Sequence, residues 1–97
     1  MKKRSDKDFF MEIWNERPHK SEVSGEPLGD EPLAHFFSHV CGKGAHPSIR
    51  YEKRNIMLMT LDEHHTWDFG NPLGVQWDKV KERKEEMKQL SALNYKL

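Results

Sequence analysis

The 97-residue sequence predicts a single α+β domain, residues 1–97, with two short strands and a helix between two terminal helices. Two amphipathic segments with helical periodicity, 6–17 and 73–93, lie near the ends of the chain. Between them, two apolar runs, 33–41 and 56–59, are bounded by glycine, proline and polar residues, which is typical of strands. A chain of this length has room for one modest hydrophobic core.

The N-terminal helix is predicted from apolar residues that recur on one helical face. Asp6 is a suitable N-cap, and Pro18 cannot continue the helix, so the helix should span 6–17. The apolar face consists of Phe9, Phe10, Ile13 and Trp14.

The central part of the chain alternates turn residues with apolar runs. Residues 18–32 are rich in Gly, Pro, Ser and acids, and Gly25 and Gly29 are expected at positive φ, so an ordered turn or short hairpin is predicted. The run 33–41 contains aromatic and branched residues, which favours a buried strand. The run 56–59, IMLM, predicts a second strand buried on both sides.

Two helices should complete the chain. Thr60 or Asp62 can cap a short helix that ends before Gly70. Acidic residues in its first turn interact favourably with the positive end of the helix dipole. The segment 73–93 has many i,i+4 charge pairs and is predicted to be a solvated helix packed by one face, rather than a nucleic-acid-binding arm. Lys84 interrupts the apolar stripe, so a coiled coil is not predicted. The stripe consists of Trp77, Val80, Met87, Leu90 and Leu93.

Composition narrows the possible classes of function. The chain has 16 basic and 16 acidic residues, so any nucleic-acid binding would have to use a local basic patch. The single Cys41 excludes an intramolecular disulfide and a thiolate metal site. No segment resembles a secretory signal or a membrane span, so we expect a cytoplasmic protein with no membrane partner. Six histidines are an unusually high number for this length.

Four polar residues stand where a hydrolytic site would need them. His39 lies within the first predicted strand, flanked by Phe37 and Val40, which should hold its ring firmly, and an imidazole with a near-neutral pKa suits a general base. Asn55, 16 residues on, is suited to orienting that imidazole or to holding a loop through backbone hydrogen bonds. His64 and Asp68 are four residues apart on the predicted short helix, a spacing that places two metal ligands on one face.

These residues and their setting resemble the HNH endonucleases, which have the ββα-metal fold. The likeness covers about residues 19–70. Within it, RYEKRNIMLM is similar to the residues around the asparagine of the family, and EHHTW is similar to the first residues of the family's metal-binding helix. It is closest to the small members of bacteriophages, including recombination endonucleases. The resemblance implies that His39 is the general base, Asn55 the positioning residue, and His64 a ligand of a divalent metal, with Asp68 a further ligand.

Two departures from the family pattern bear on metal binding. Many relatives carry a zinc ribbon of two Cys-x-x-Cys pairs, whereas this chain has Ser21 and Ser24, then Thr60 and Glu63, at that spacing. Hydroxyls and one carboxylate do not replace four thiolates, so no structural zinc is expected and packing should hold the unit together. Ser38 stands where the family often has a metal-binding Asp or His, and serine is a weak ligand.

Basic residues near the predicted site are candidate phosphate contacts. Lys43 lies between two glycines, and Arg50, Lys53 and Arg54 follow in the next segment. Glycines let backbone amides approach a phosphate, and the arginine fork matches its oxygens. We therefore expect a local basic rim at the site.

The leading functional hypothesis is a metal-dependent DNA endonuclease acting on duplex or branched DNA in the cytoplasm, that of the host if the protein is phage-encoded. The metal would be Mg²⁺, Mn²⁺, Ni²⁺ or Zn²⁺. The alternative is an inactive HNH fold that serves as a binding module, an inhibitor or accessory protein of a nucleic-acid enzyme. A third possibility is a structural protein whose histidines fill the core.

Overall fold

A two-stranded antiparallel sheet lies between two helices in the computed structural model, which describes residues 5–94. The architecture of this part is α+β, as predicted. The helices are α1 (Asp6–Glu16), α2 (Leu61–Phe69) and α3 (Asp78–Asn94), and the strands are β1 (Phe37–His39) and β2 (Ile56–Leu58). No helix within the described residues has both the length and the apolar character needed to cross a membrane.

Helix α1 forms as predicted, with a different cap. The Ser5 hydroxyl accepts a hydrogen bond from the Asp8 backbone N–H (3.1 Å), so Ser5 is the N-cap and the prediction of Asp6 was wrong by one residue. Asp6 instead lies in the first turn, where its negative charge interacts favourably with the positive end of the helix dipole. The helix ends at Glu16, two residues before the proline.

The segment after α1 is an ordered series of turns. Lys20 and Pro27 form an isolated antiparallel bridge, so the predicted short hairpin is present only as this one pair. Gly25 (φ 82°) and Gly29 (φ 85°) adopt the left-handed backbone that was predicted for them.

Strand β1 is shorter than the predicted run 33–41. Residues Ala34–Phe36 form a 3-10 turn, and only the three residues of β1 pair with β2, with Ser38 opposite Met57. Beyond the strand, the Val40 N–H donates to the Asn55 carbonyl (2.7 Å), and the chain then leaves the sheet in the loop 42–54. Tertiary pairing, rather than the local β propensity, sets the strand length.

The two faces of the sheet pack against different helices. The side chains of Phe37, Ile56 and Leu58 pack with α1 residues, including Phe9 and Ile13, which are completely buried. The opposite face packs against α3 and contains Val40, Met57, Met59, Trp77 and Val80, together with Val23. Because side chains alternate along a strand, His39 belongs to the α1 face and Ser38 to the α3 face.

The last two helices follow the predicted order. Thr60 caps α2 through a capping box with Glu63. Helix α3 begins at Asp78 instead of 73, because Gly74 (φ 110°) and a 3-10 turn at Val75–Trp77 precede it. On its predicted apolar stripe, Trp77, Val80 and Met87 are buried and Leu90 is partly buried, whereas Leu93 is exposed.

Candidate functional site

A cleft between β1, the following loop and α2 brings together four of the predicted site residues. Its volume is about 530 Å³. We call it the His39 cleft; it is lined by Phe10, Ala34, Phe37, His39, Gly42, Lys43, His64, Asp68 and Phe69. A separate cavity of about 530 Å³, lined by residues that include Arg17, Lys20 and Lys79, shares none of these residues and contains no histidine. Chemistry, not volume, singles out the His39 cleft.

The His39 ring lines the cleft and is held by a backbone contact. Its Nε2 is buried and has no hydrogen-bond partner among the described residues, while the ring also has a hydrogen bond to the Arg50 backbone. Burial lowers the pKa of His39, and the bond to Arg50 opposes this only in part. The ring is therefore neutral at pH 7, the state that a general base requires.

His64 is held in one orientation by a backbone contact. Its Nδ1 donates a hydrogen bond to the carbonyl of His35 (2.6 Å), which leaves Nε2 as the ring nitrogen that faces Asp68. The distance from His64 Nε2 to Asp68 Oδ2 is 3.0 Å, across one turn of α2. The predicted i,i+4 pair is therefore formed, with the second ring nitrogen fixed as it is in metal-binding histidines.

The donor set of the cleft suits a hydrated cation better than a tightly held one. Within residues 5–94, no group of three or more His, Cys, Asp or Glu side chains is placed to hold a metal ion. His64 and Asp68 supply one nitrogen and one carboxylate. Mg²⁺ commonly binds through one or two carboxylates, with water and substrate phosphate completing the shell, and imidazole suits ions such as Ni²⁺ and Zn²⁺, whereas structural zinc needs four ligands.

Asn55 holds the loop behind the site. It is completely buried, its side-chain oxygen accepts from the Cys41 N–H (2.8 Å), and its amide donates to the Cys41 carbonyl (3.0 Å). The backbone contacts of Asn55 join the end of β1 to the start of β2, so the loop carrying Lys43 is closed at its base. Of the two roles predicted for Asn55, the geometry supports the loop-holding one.

Ser38 is turned away from the cleft. It is fully buried on the α3 face of β1, and its hydroxyl has no hydrogen-bond partner among the described residues. Since Ser38 does not line the His39 cleft, its side chain does not add a ligand to the His64–Asp68 pair.

The structure separates the predicted basic rim into distinct parts. Lys43 lines the cleft and lies 3.4 Å from Asp6, and Arg50 pairs with the same carboxylate at 2.9 Å. These contacts hold the pKa of Asp6 at about 2, the bond from Arg50 being the main cause. Arg54 pairs with Glu52 (2.8 Å) and does not line the cleft. Lys53 pairs with Glu12 and Glu16 on α1.

The four positions with zinc-ribbon spacing lie together and form a hydrogen-bonded cluster. Ser21 donates to the Glu63 carboxylate (2.5 Å), which also accepts from the Thr60 N–H (2.8 Å) and from the Ser24 side chain. Burial raises the pKa of Glu63, but these hydrogen bonds outweigh it and the pKa is lowered. We call these four residues the Glu63 cluster. Hydrogen bonds, in addition to the packing we expected, connect the turn after α1 with the start of α2.

Sequence reasoning missed two lysines of α3. Lys84 and Lys88 line a second cavity that adjoins the His39 cleft and shares His39, Gly42 and Asp68 with it. Their i,i+4 spacing showed that they share a helix face, but only the tertiary packing of α3 shows that this face lies beside β1.

Comparison of the chain with models of protein families, with curated protein sequences and with solved structures found no match.

Proposed function

We propose that this protein is a metal-dependent DNA endonuclease of the HNH type, with β1, β2 and α2 as a ββα-metal core. The observation that carries the proposal is the meeting of His39, His64, Asp68 and Lys43 in one cleft. A neutral imidazole with an unpartnered nitrogen beside a His–Asp pair is an arrangement suited to phosphodiester hydrolysis. We place the activity in the cytoplasm, that of a bacterial host if the protein is phage-encoded.

Each residue then has a defined task. His39 Nε2 takes the proton from the attacking water, and the Arg50 backbone holds the ring through its other nitrogen. His64 and Asp68 would hold a divalent cation, which supplies positive charge for the phosphate oxygens in the transition state. Lys43 adds a charged donor at the cleft wall. Asn55 is a positioning residue, because it closes the loop that carries Lys43.

Plasmid cleavage tests the proposal. The wild-type protein should nick supercoiled DNA in Mg²⁺, Mn²⁺ or Ni²⁺ and lose this activity in EDTA. His39→Ala should reduce the rate by about 10²- to 10⁴-fold, the usual contribution of a general base. His65→Ala is a matched control, because His65 is an exposed histidine of α2 that does not line the cleft. Equal cleavage by wild type and His39→Ala would refute the mechanism.

A second candidate function is a catalytically inactive HNH-type fold that binds a nucleic-acid enzyme as an inhibitor or accessory protein. It is favoured by the two-residue donor set in the described part of the chain and by the orientation of Ser38. Calorimetric titration with Mn²⁺ or Ni²⁺ separates the candidates. The nuclease requires binding that weakens in His64→Ala. Absence of both metal binding and a DNA mobility shift at low salt would favour the binding module.

A further inference from the structure

Three adjoining cavities form a path from the His39 cleft to α3. The second cavity, about 570 Å³, shares His39 and Asp68 with the cleft and is also lined by Lys84 and Lys88. The third, about 420 Å³, shares Lys84 and Lys88 with the second and adds Lys81. An extended ligand that occupies the His39 cleft could therefore also contact the two adjoining cavities beside α3.

The three lysines lie on one face of α3. Lys81, Lys84 and Lys88 are spaced i, i+3 and i+7, which places them along one side of a helix. We call these three residues the lysine face. Its backbone is held next to the residues that follow β1, because the Cys41 thiol donates to the Lys84 carbonyl (3.5 Å). On the neighbouring helix α2, the Trp67 indole N–H donates to the Val40 carbonyl (3.1 Å), and the Trp67 ring lies beside Lys84.

The side-chain environment leaves most of this positive charge available. The Lys84 ammonium lies 5.4 Å from the centre of the Trp67 ring, a contact that orients it without neutralising it. Lys88 pairs with Glu85 at 3.5 Å, but both side chains are largely exposed, so the pair is weak. Lys81 is exposed.

The path as a whole is more basic than the chain. Its lining carries four lysines and two carboxylates, whereas acids and bases are equal in number in the full sequence. One of the two carboxylates, Asp68, belongs to the proposed cation pair. A row of ammonium groups along one helix face, next to the proposed hydrolytic site, is suited to contact a chain of phosphates.

We propose that the lysine face binds the phosphodiester backbone of DNA on one side of the scissile phosphate. This inference rests on the proposed nuclease function for the identity of the ligand. It assigns α3 a binding role that its charge pairing alone did not predict. Because lysine contacts phosphate as a point charge, the binding should be independent of base sequence and sensitive to salt.

The test is DNA binding without cleavage. Fluorescence anisotropy of a labelled 20-base-pair duplex is measured with the full chain in EDTA, over a series of salt concentrations. The variant Lys81→Ala/Lys84→Ala/Lys88→Ala is compared with wild type and with Lys7→Ala/Lys20→Ala/Lys79→Ala. The control removes the same charge from exposed lysines outside the path. Circular dichroism and thermal unfolding establish that all three proteins are folded.

Loss of phosphate contacts has a specific signature. The slope of log Kobs against log salt should decrease in magnitude by about 2 to 3 in the lysine-face variant, since each phosphate contributes about 0.9. The control should keep the wild-type slope. Equal slopes in the lysine-face variant and wild type, a larger loss in the control, or no binding by wild type at 50 mM salt would overturn the proposal.

The two proposals fail in different ways. Salt-dependent binding through the lysine face with no cleavage in any metal would contradict the nuclease and leave the binding surface in place. Cleavage that depends on His39, with unchanged binding by the lysine-face variant, would contradict only the binding surface.

Discussion

The Glu63 cluster and the His39 cleft are both polar sites attached to α2, and they differ in how completely their hydrogen bonds are satisfied. In the cluster, the Glu63 carboxylate accepts from Ser21, Ser24 and the Thr60 backbone. In the cleft, His39 Nε2 has no partner within residues 5–94. The first site connects parts of the fold, and the second keeps one imidazole nitrogen without a partner in the described part of the chain.

The presence or absence of hydrogen-bond partners helps to distinguish structural polar residues from candidate functional ones in this chain. Buried polar groups are nearly always hydrogen-bonded, so one left without a partner beside a cleft calls for an explanation. Ser38 shows the limit of the argument, because its unpartnered hydroxyl lies in the core and not beside the cleft. We therefore select His39 as the candidate functional residue because it both lines the cleft and has a nitrogen without a hydrogen-bond partner among the described residues.

The largest effect on stability is expected for Asn55→Ala. The substitution removes the partner of the buried Cys41 N–H and carbonyl. Because each unsatisfied buried group costs about 1–3 kcal/mol, the free energy of unfolding should fall by about 3 kcal/mol. Urea denaturation measures it. A loss below about 1 kcal/mol would show that water satisfies these groups, and that Asn55 does not close the loop.

Glu63→Gln should cost less, about 1 kcal/mol, because the amide keeps one acceptor for the hydrogen bonds but loses the charge that strengthens them. Since the pKa of Glu63 is lowered in the folded protein, its contribution should be full above its ordinary value of 4.5 and decline at lower pH. Urea midpoints for wild type and variant at pH 7 and pH 3.5 check this. If the variant is as stable as wild type at pH 7, the charge of Glu63 does not contribute to the stability of the fold, contrary to this prediction.

The cleft should have its own pH signature. The lowered pKa of His39 predicts that kcat/KM is constant above pH 6.5 and falls about tenfold per pH unit below the folded pKa. The corresponding contribution to stability is present above the unfolded pKa of 6.5 and is lost as the pH falls through the folded value. A pH–rate profile with its acid limb centred above 6.5 would contradict a buried, neutral His39.

Ser38→Ala should have the smallest effect. The serine hydroxyl is buried without a partner among the described residues, so its replacement by a methyl-bearing residue should raise the free energy of unfolding by about 0.5–1 kcal/mol. Cleavage should be unchanged, because Ser38 does not line the cleft. A large fall in metal affinity, measured by calorimetry, would place Ser38 in the site after all.

Much of the fold follows from local patterns in the sequence. The apolar face of α1, the capping box at Thr60 and Glu63, and the buried run of β2 are all short-range features. The errors occur where neighbouring residues can serve the same role or where two segments pair at long range. Ser5, rather than Asp6, is the N-cap of α1, because either of two adjacent polar residues can cap a helix. Strand β1 is shorter than predicted because only three of its residues pair with β2.

The site was predictable only in part, for a physical reason. His39, His64 and Asp68 line one cleft, as expected, because strand and helix positions determine where their side chains point. Arg54 does not reach the cleft although it precedes Asn55, because consecutive residues of a tight turn point in different directions. Lys84 lies beside the cleft through the packing of α3, which no local spacing encodes.

The cleavage rates of His39→Ala and Glu63→Gln, measured side by side at a temperature where both are folded, test the catalytic role of the His39 cleft. His39→Ala should remain folded and lose about 10²- to 10⁴-fold in rate. Glu63→Gln should lose stability and cleave at the wild-type rate. Equal losses of activity in the two variants, or full activity in His39→Ala, would contradict the assignment of the His39 cleft as the catalytic site.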